Sequence, residues 1–477
     1  MYSVCSVGNS SAQLPVAIIG GGITGLTAAY RLTQQGRSVR LFEASPRPGG
    51  SIRSERDGDW LIEAGPNSLQ QTPALASLLT ELGLDSVKLT ARPEAKNRYI
   101  VRDGKPHAAP TSPSGLVTSS LFTAGGKLRL LREAFIRPLT RTADLSLANF
   151  GKFHFGQELV DYGLSPFVSG VYAGDAENLS TRHSFPSLWE MERTHGSIIR
   201  GQIAAAKARR ARGEPSGPPP IISFTEGLET LPRALAARLP AGSVELNAVV
   251  TSLTPPSDGQ PWKVEWTRSD AGSQFSTLGS ESFSSVILAL PATALANLPF
   301  HSSSGFRLPA LLAPLSEIEY PPVSSLFLGY RRDQVAHRLD GFGMLVPPVE
   351  IRQLLGVLFN STLFTRRAPE GHVALTVMTG GVRTPRLAHR HDADLLPIVS
   401  RELSALLGVK GDPVFVRRNI WPRAIPQYNL GYERFLDAMT AAETAHPGMF
   451  IGGHVRDGIS LPNCIASGEK LASRASI

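Results

Sequence analysis

Gly20, Gly22 and Gly25 stand in the spacing Gly-x-Gly-x-x-Gly, directly after a short apolar run and at the start of a helix-type stretch. In that context each glycine has a role. The first allows a tight turn, the second lets the backbone approach a pyrophosphate, and the third brings helix and strand close together. The helix N-terminus offers free N–H groups and the positive end of its dipole to phosphates. Glu43 follows Gly25 by eighteen residues. It falls where a carboxylate accepts hydrogen bonds from an adenosine ribose. The chemistry implied is dinucleotide binding. A further stretch, Arg47-Pro48-Gly49-Gly50, lies just beyond. A nicotinamide dehydrogenase does not need this second glycine pair. It suits a flavoprotein, with Arg47 near the diphosphate and Gly49 and Gly50 passing close to the cofactor. No second Gly-x-Gly-x-x-Gly occurs, which disfavours pyridine-nucleotide reductases and monooxygenases.

These residues need a strand, a helix and a second strand to hold them. Val16 to Ile19 is a continuous apolar run and reads as a buried parallel strand. Ile23 to Gln35 carries Leu26, Ala29 and Leu32 on one stripe, and Gly36 ends it. Ser38 to Phe42 reads as the second strand. From Thr111 to about Lys207 the periodicity is helical. The basic stretch after Ala204 then runs into a Pro/Gly/Ser loop ending at Pro220, read as exposed and mobile. Gly242 to Arg268 and Ser284 to Leu290 alternate as strands. Tyr320 to Tyr330 and Gly371 to Thr379 suggest an antiparallel sheet. Met449 to Ile451 reads as a late strand, followed by a final helix from about Asn463.

Length and composition limit what such a chain can be. It has 477 residues, 42% of them hydrophobic, and a net charge of +8. That length suggests several domains, and that apolar content supports a sizeable core. Two cysteines exclude a disulfide-built scaffold and a multi-cysteine metal centre carried by this chain alone. No apolar run reaches the roughly 18 residues of a membrane span. Met1 to Leu14 lacks the features of a signal peptide and is expected to be a disordered tail. The expected location is cytoplasmic.

Glu63-Ala64-Gly65-Pro66-Asn67-Ser68 is the next informative cluster. Gly65 and Pro66 fix the chain, while Asn67 and Ser68 offer backbone N–H groups to a planar, electron-accepting ring. With it come Asn97-Arg98-Tyr99, Phe167 to Asp175 (FVSGVYAGD), Phe185 to Trp189 (FPSLW), Thr194 to Ile199 (THGSII), Ile425 to Tyr428 (IPQY) and Ile459 to Gly468 (ISLPNCIASG). On these stretches the sequence resembles the FAD-dependent protoporphyrinogen/coproporphyrinogen oxidases of the amine-oxidase-like flavoprotein superfamily. The resemblance runs from Val16 to Ala472.

The resemblance implies an α/β fold with α+β elements in three domains. A discontinuous Rossmann-like FAD-binding domain would take residues 15–92, 221–298 and 441–477. A substrate domain built on an antiparallel sheet would take 93–103 and 299–440. A helical, membrane-facing domain would take 104–220. The implied activity is oxidation of protoporphyrinogen IX to protoporphyrin IX in haem biosynthesis, by three two-electron steps with molecular oxygen as acceptor. The cofactor would be FAD, held noncovalently. Arg98 would pair with a substrate propionate, Gly170 would offer backbone, and Leu345 and Met378 would sandwich the macrocycle. Val250 would contact adenine through its backbone, and Ile459, Ser460 and Leu461 would meet the isoalloxazine ring. Where the family often has Asp, this chain has Asn463, which is expected to cap the last helix equally well.

The residues support part of this unaided. Arg98 precedes the turn pair Asp103-Gly104, a hairpin signal. A guanidinium on such a strand can clamp a carboxylate bidentately. His195 is left without a catalytic role, because porphyrinogen oxidation needs little acid–base help. Cys464 is not read as a covalent flavin link. Ser114 to Arg141 mixes Leu116, Val117, Leu121, Phe122, Leu128, Leu131, Phe135 and Ile136 with Lys127, Arg129, Arg132, Arg137 and Arg141. That mixture fits either a segment lying on anionic lipid or an internal hairpin with solvated arginines, and the resemblance favours lipid. The reading expects no metal and no nucleic-acid partner, and allows a homodimer. The alternatives are coproporphyrinogen III oxidation to coproporphyrin III, an amine oxidase or carotenoid desaturase, and a non-catalytic flavin-binding protein.

Overall fold

The computed structural model describes residues 13–137, 141, 143–213, 217–257, 260–269, 276–300 and 308–476. The expected tail therefore lies outside the described residues up to residue 12, and so does Cys5. The fold is mixed α/β and divides into two compact units. The first comprises Met1–Gly50, Pro232–Ser316 and Asp437–Ile477; the second comprises Ser51–Leu231 and Glu317–Leu436. The segment expected as a helical domain, 104–220, lies within the second unit. Among the described residues no helix is long and apolar enough to cross a membrane.

The first unit is built on a five-stranded parallel sheet. Its order is Val244–Glu245, Val39–Phe42, Val16–Ile19, Ser285–Leu288, Met449–Ile451. Val16–Ile19 and Ser285–Leu288 are buried throughout, as the apolar runs Val16–Ile19 and Val286–Leu288 in the middle of a parallel sheet should be. Helix Ile23–Gln34 follows the first strand. The last helix, Leu461–Ala475, packs along it. Gly468 makes that approach possible, since a Cβ there would lie 2.5 Å from the Thr24 carbonyl oxygen. This helix starts two residues before the expected Asn463. Ser460 is its cap and accepts the Asn463 N–H at 3.2 Å, and Pro462 suits the first turn. Asn463 therefore lies inside the helix and does not cap it. A separate antiparallel meander, Ala248–Thr254, Trp262–Ser269 and Ser276–Phe283, places Trp266 and Phe283 against Phe42.

The second unit centres on a seven-stranded sheet. Its order is Phe415–Trp421, Val323–Arg331, His372–Gly380, Leu354–Leu358, Gly341–Leu345, Asn97–Arg102, Lys105–Ala108. Five of its six junctions are antiparallel, and one, Gly341–Leu345 with Asn97–Arg102, is parallel. Asp103 and Gly104 both have positive φ (51° and 72°) in the hairpin that follows Arg102, as a two-residue type I′ turn requires. One face of the sheet carries Tyr99, Leu326, Met344, Val357 and Val377. These residues pack on Leu395, Val399 and Leu403 of helix Asp392–Leu407.

The helical stretch runs from Pro113 to Ala211 within this unit. A buried charge network ties its parts together. His154 pairs through Nδ1 with Glu133 at 2.9 Å and through Nε2 with Glu192 at 3.0 Å. Arg141 donates to Glu192 at 2.8 Å, and Ser197 donates to Glu133 at 2.8 Å. The Ile198 and Ile199 N–H groups, at the start of helix Ile198–Ala211, also point at Glu133. Burial would lower the His154 pKa, but the two carboxylates outweigh it and hold the imidazole above its ordinary value. Burial pushes both carboxyls up. The hydrogen bonds from His154 with Ser197, and from His154 with Arg141, outweigh it and hold Glu133 and Glu192 low.

Candidate functional site

The glycine turn of the first unit forms a cradle. Gly20 sits at φ +107°, and a Cβ there would come within 2.4 Å of the Ala289 carbonyl oxygen. Gly25 presses against the preceding turn, where a Cβ would lie 2.0 Å from the Gly20 oxygen and 3.3 Å from Ile18. Gly22 differs from both, because nothing lies within 4 Å of the Cβ it lacks. Two glycines thus serve close packing, and one faces open space at the helix N-terminus. That terminus has no side-chain cap, so its first N–H groups and its dipole stay available to an anion.

Glu43 closes one side of the cradle. Its carboxylate accepts the Gly21 N–H at 2.7 Å and the Ser45 N–H at 2.9 Å. Those bonds fix the group and leave lone pairs for hydroxyl donors. The Gly49 N–H donates to the Gly21 carbonyl at 2.8 Å, and a Cβ on Gly50 would lie 3.2 Å from the Cα of Gly22. Arg47 donates to the Pro48 and Gly50 carbonyls at 3.3 and 2.8 Å, which holds this second glycine turn in place. Val250 sits where the ladder register shifts before Ser252, a bulge that frees backbone groups from pairing. Ile459, Ser460 and Leu461 lead into the last helix. The residues present fit a dinucleotide: an uncapped helix start, a Cβ-free approach at Gly22 and an anchored carboxylate.

Cys464 lies on the last helix, buried, with its thiol 3.6 Å from the Gly458 carbonyl. Burial pushes its pKa up to about 12, so it is not poised as a thiolate nucleophile.

In the second unit, strand Trp60–Glu63 leads into Gly65-Pro66-Asn67-Ser68. A Cβ on Gly65 would lie 2.0 Å from the Ser51 carbonyl oxygen. Trp421 donates to the Ala64 carbonyl at 2.7 Å, and Asn360 donates to the Asn67 side chain at 2.8 Å. Beneath this segment Glu63 is buried. It accepts from Ser54 Oγ at 2.6 Å and from the Leu228 N–H at 2.9 Å, with the buried Arg367 guanidinium 3.9 Å away. Burial raises its carboxyl to about 7 against those lowering contacts.

The seven-stranded sheet brings together residues that are far apart in the chain. Arg98 is opposite Gly343, Leu345 is opposite Gly356, and Gly356 is opposite Met378. Directly opposed residues, and residues two apart on a strand, share a face. Arg98, Leu345 and Met378 therefore lie on one face, with Gly343 and Gly356 leaving the space between them free of side chains. Gly170, on helix Ser165–Val171, meets this face at Leu345, where a Cβ would lie 2.3 Å from the leucine Cδ2. Arg98 is exposed, lies over the Phe342 ring at 5.4 Å and has no ion-pair partner among the described residues.

Segment 114–141 divides. Leu121 and Phe122 are buried and pack on Ile100, two residues along the strand from Arg98. Val117, Leu128, Leu131 and Phe135 are exposed, Phe135 at 82%. Arg141 turns inward to Glu192 and is not a surface cation. His195 ends helix Pro186–His195. The buried histidine of this region is His154, which sequence reasoning missed. It missed Arg367 and Arg383 as well, because an isolated His or Arg in a mixed stretch carries no burial signal.

The glycine cradle is that of a dinucleotide-binding protein, and the family match makes the chain an FAD-dependent oxidoreductase. The chain belongs to the flavin containing amine oxidoreductase family, whose model matches residues 23–476. It is 36% identical to protoporphyrinogen oxidase 2, chloroplastic/mitochondrial, of Arabidopsis thaliana, over 96% of this chain and 92% of that protein. It is 32% identical to protoporphyrinogen oxidase of Bos taurus, over 96% and 98%. Coproporphyrinogen III oxidase of Bacillus subtilis is 28% identical, over 98% of both chains. Among solved structures, putrescine oxidase shares the fold with a TM-score of 0.67 at 17% identity, over 97% of this chain and 98% of that one.

Proposed function

We propose that the protein oxidises protoporphyrinogen IX to protoporphyrin IX in haem biosynthesis, in three two-electron steps with molecular oxygen as final acceptor. The observation that carries this reading is the shared sheet face of Arg98, Leu345 and Met378 with Gly170 against it. Bound FAD supplies the two-electron acceptor. Gly20, Gly22, Gly25, Glu43, Arg47, Gly49, Gly50 and Val250 hold its dinucleotide part. Gly65, Pro66, Asn67, Ser68, Ile459, Ser460 and Leu461 serve its ring. The cofactor is noncovalent, and the high thiol pKa of Cys464 supports that reading. Acid precipitation should leave the yellow colour in the supernatant, and colour retained in the pellet would refute it.

Arg98 clamps a propionate, which the guanidinium fork suits and which no carboxylate among the described residues contests. Leu345 and Met378 supply apolar surface to a flat ring, methionine adapting to its shape. Gly170 keeps the helix backbone close to that ring. No side chain is needed as a general base, because water and the ring nitrogens take the protons.

Peripheral contact with an anionic membrane fits the exposed Val117, Leu128, Leu131 and Phe135 beside Lys127, Arg129 and Arg132. The same segment packs on the Arg98 strand, a short path for a hydrophobic substrate collected at a lipid surface. A second reading, coproporphyrinogen III oxidation, is favoured by the full-length match to the Bacillus subtilis enzyme. Turnover of the two porphyrinogens, compared side by side on the purified protein, separates the readings.

A further inference from the structure

Arg383 lies outside every role assigned above. It follows the Met378 strand through Gly380-Gly381. The Gly381 N–H donates to the Pro322 carbonyl at 2.7 Å, and the Val382 N–H donates to the Ala173 carbonyl at 2.9 Å. The turn is thus stitched to the end of the helix that carries Gly170. The guanidinium continues the stitching. Its Nη1 donates to Ser169 Oγ at 3.3 Å and to the Val346 carbonyl at 3.2 Å, and its Nη2 donates to the Arg352 carbonyl at 3.5 Å. Ser169 directly precedes Gly170, and Val346 directly follows Leu345. One half-buried side chain therefore spans the chain segments that carry Gly170, Leu345 and Met378.

Its acceptors are all neutral. No carboxylate of the described residues lies within ion-pair distance, and Asp175 acts on it only from further away. A half-buried cation without a counter-charge is costly, so an ion pair does not account for its place here. Its fork geometry does, since a planar guanidinium can reach two or three separated acceptors at once and an ammonium cannot.

We propose that Arg383 is a positioning residue, holding helix Ser165–Val171 packed against the sheet face at Leu345, and so the shape of the wall that Gly170, Leu345 and Met378 present to the macrocycle. This rests on the substrate face proposed above. Loss of the guanidinium lets the helix drift from Leu345. Binding of a flat ring weakens while the reacting atoms stay the same.

The test uses the FAD-loaded full chain with protoporphyrin IX and coproporphyrin III as stable probes, titrated by fluorescence, beside steady-state kinetics on both porphyrinogens. Arg383→Met should raise the probe Kd and the KM by about tenfold, the scale of one lost charge-assisted hydrogen bond, with kcat within about twofold. Arg383→Lys should recover only part of the loss. Millimolar methylguanidinium should restore binding in Arg383→Ala, a rescue that a general loss of packing would not allow. Unchanged Kd in all three variants overturns the proposal. So does a fall in kcat that tracks loss of FAD and thermal midpoint, without chemical rescue. If the wild-type protein binds neither porphyrin, the substrate face itself is wrong and the proposal falls with it.

Discussion

Replacing Arg98 with alanine isolates substrate recognition from folding. The side chain is exposed, forms no ion pair with a described residue, and rests only over the Phe342 ring. Its removal should cost the fold about 0.5–1 kcal/mol at most, the value of an exposed cation–π contact. The substrate loses more. A hydrogen bond to a charged group is worth about 1.5–3 kcal/mol, which is roughly 10- to 150-fold in KM at 1.36 kcal/mol per tenfold. Arg98 is expected to hold a propionate equally before and during the reaction, so KM should rise while kcat changes little. Initial rates of porphyrin fluorescence across a range of porphyrinogen concentrations give both constants, with thermal melting and flavin content as controls. Arg98→Lys should fall between the two proteins. An unchanged KM in a folded, flavin-loaded Arg98→Ala protein would refute the placement of substrate on this sheet face.

Gly22→Val should abolish FAD binding and leave the thermal midpoint of the apoprotein nearly unchanged, since beyond its two chain neighbours nothing lies within 4 Å of the new Cβ. A stoichiometric flavin content would contradict the cradle. The His154 network should confer stability only within a pH window. The His154 pKa is raised from its ordinary 6.5, so its contribution is full below that value and is lost as pH rises through the folded value. Glu133 and Glu192 are lowered from 4.5, so theirs is present above that value and lost as pH falls through the folded values. Thermal melts should show the alkaline decline flattened in His154→Gln, and His154→Ala should cost about 3–5 kcal/mol, as for a broken buried pair. An unaltered pH profile would mean that the imidazole is uncharged in the fold. On anionic vesicles the protein should float at low salt and release at high salt, and Leu128→Ser with Phe135→Ser should weaken flotation. A protein that stays in the soluble fraction at low salt has no such contact.

The glycine cradle was legible because its residues are neighbours in sequence and each glycine has a local reason. Even there, the division of labour between Gly25, packed on Gly20, and Gly22, facing open space, is spatial. The last helix was read two residues late because Ser460-Leu-Pro resembles loop until the serine is seen accepting the Asn463 N–H. The sheet face is different in kind. Arg98, Leu345 and Met378 meet only through cross-strand register, which periodicity does not encode between distant strands. Leu121 and Phe122 belong to a segment whose composition fits lipid contact or an internal hairpin alike, and they fill the space beside Ile100. Burial of that pair depends on a partner more than twenty residues earlier in the chain. His154 is hidden for the same reason, since Glu133 and Glu192 look like ordinary helix-surface carboxylates until the helices pack.

The most direct measurement is a single anaerobic turnover. Purified protein with its bound flavin is mixed with chemically reduced protoporphyrinogen IX in the absence of oxygen, and the visible absorption of the flavin is followed with time. The expected result is rapid bleaching at substoichiometric substrate, return of the yellow absorption when oxygen is admitted, and porphyrin fluorescence after repeated turnover. A flavin that stays oxidised with both protoporphyrinogen and coproporphyrinogen, in protein that is folded and fully loaded, would contradict it.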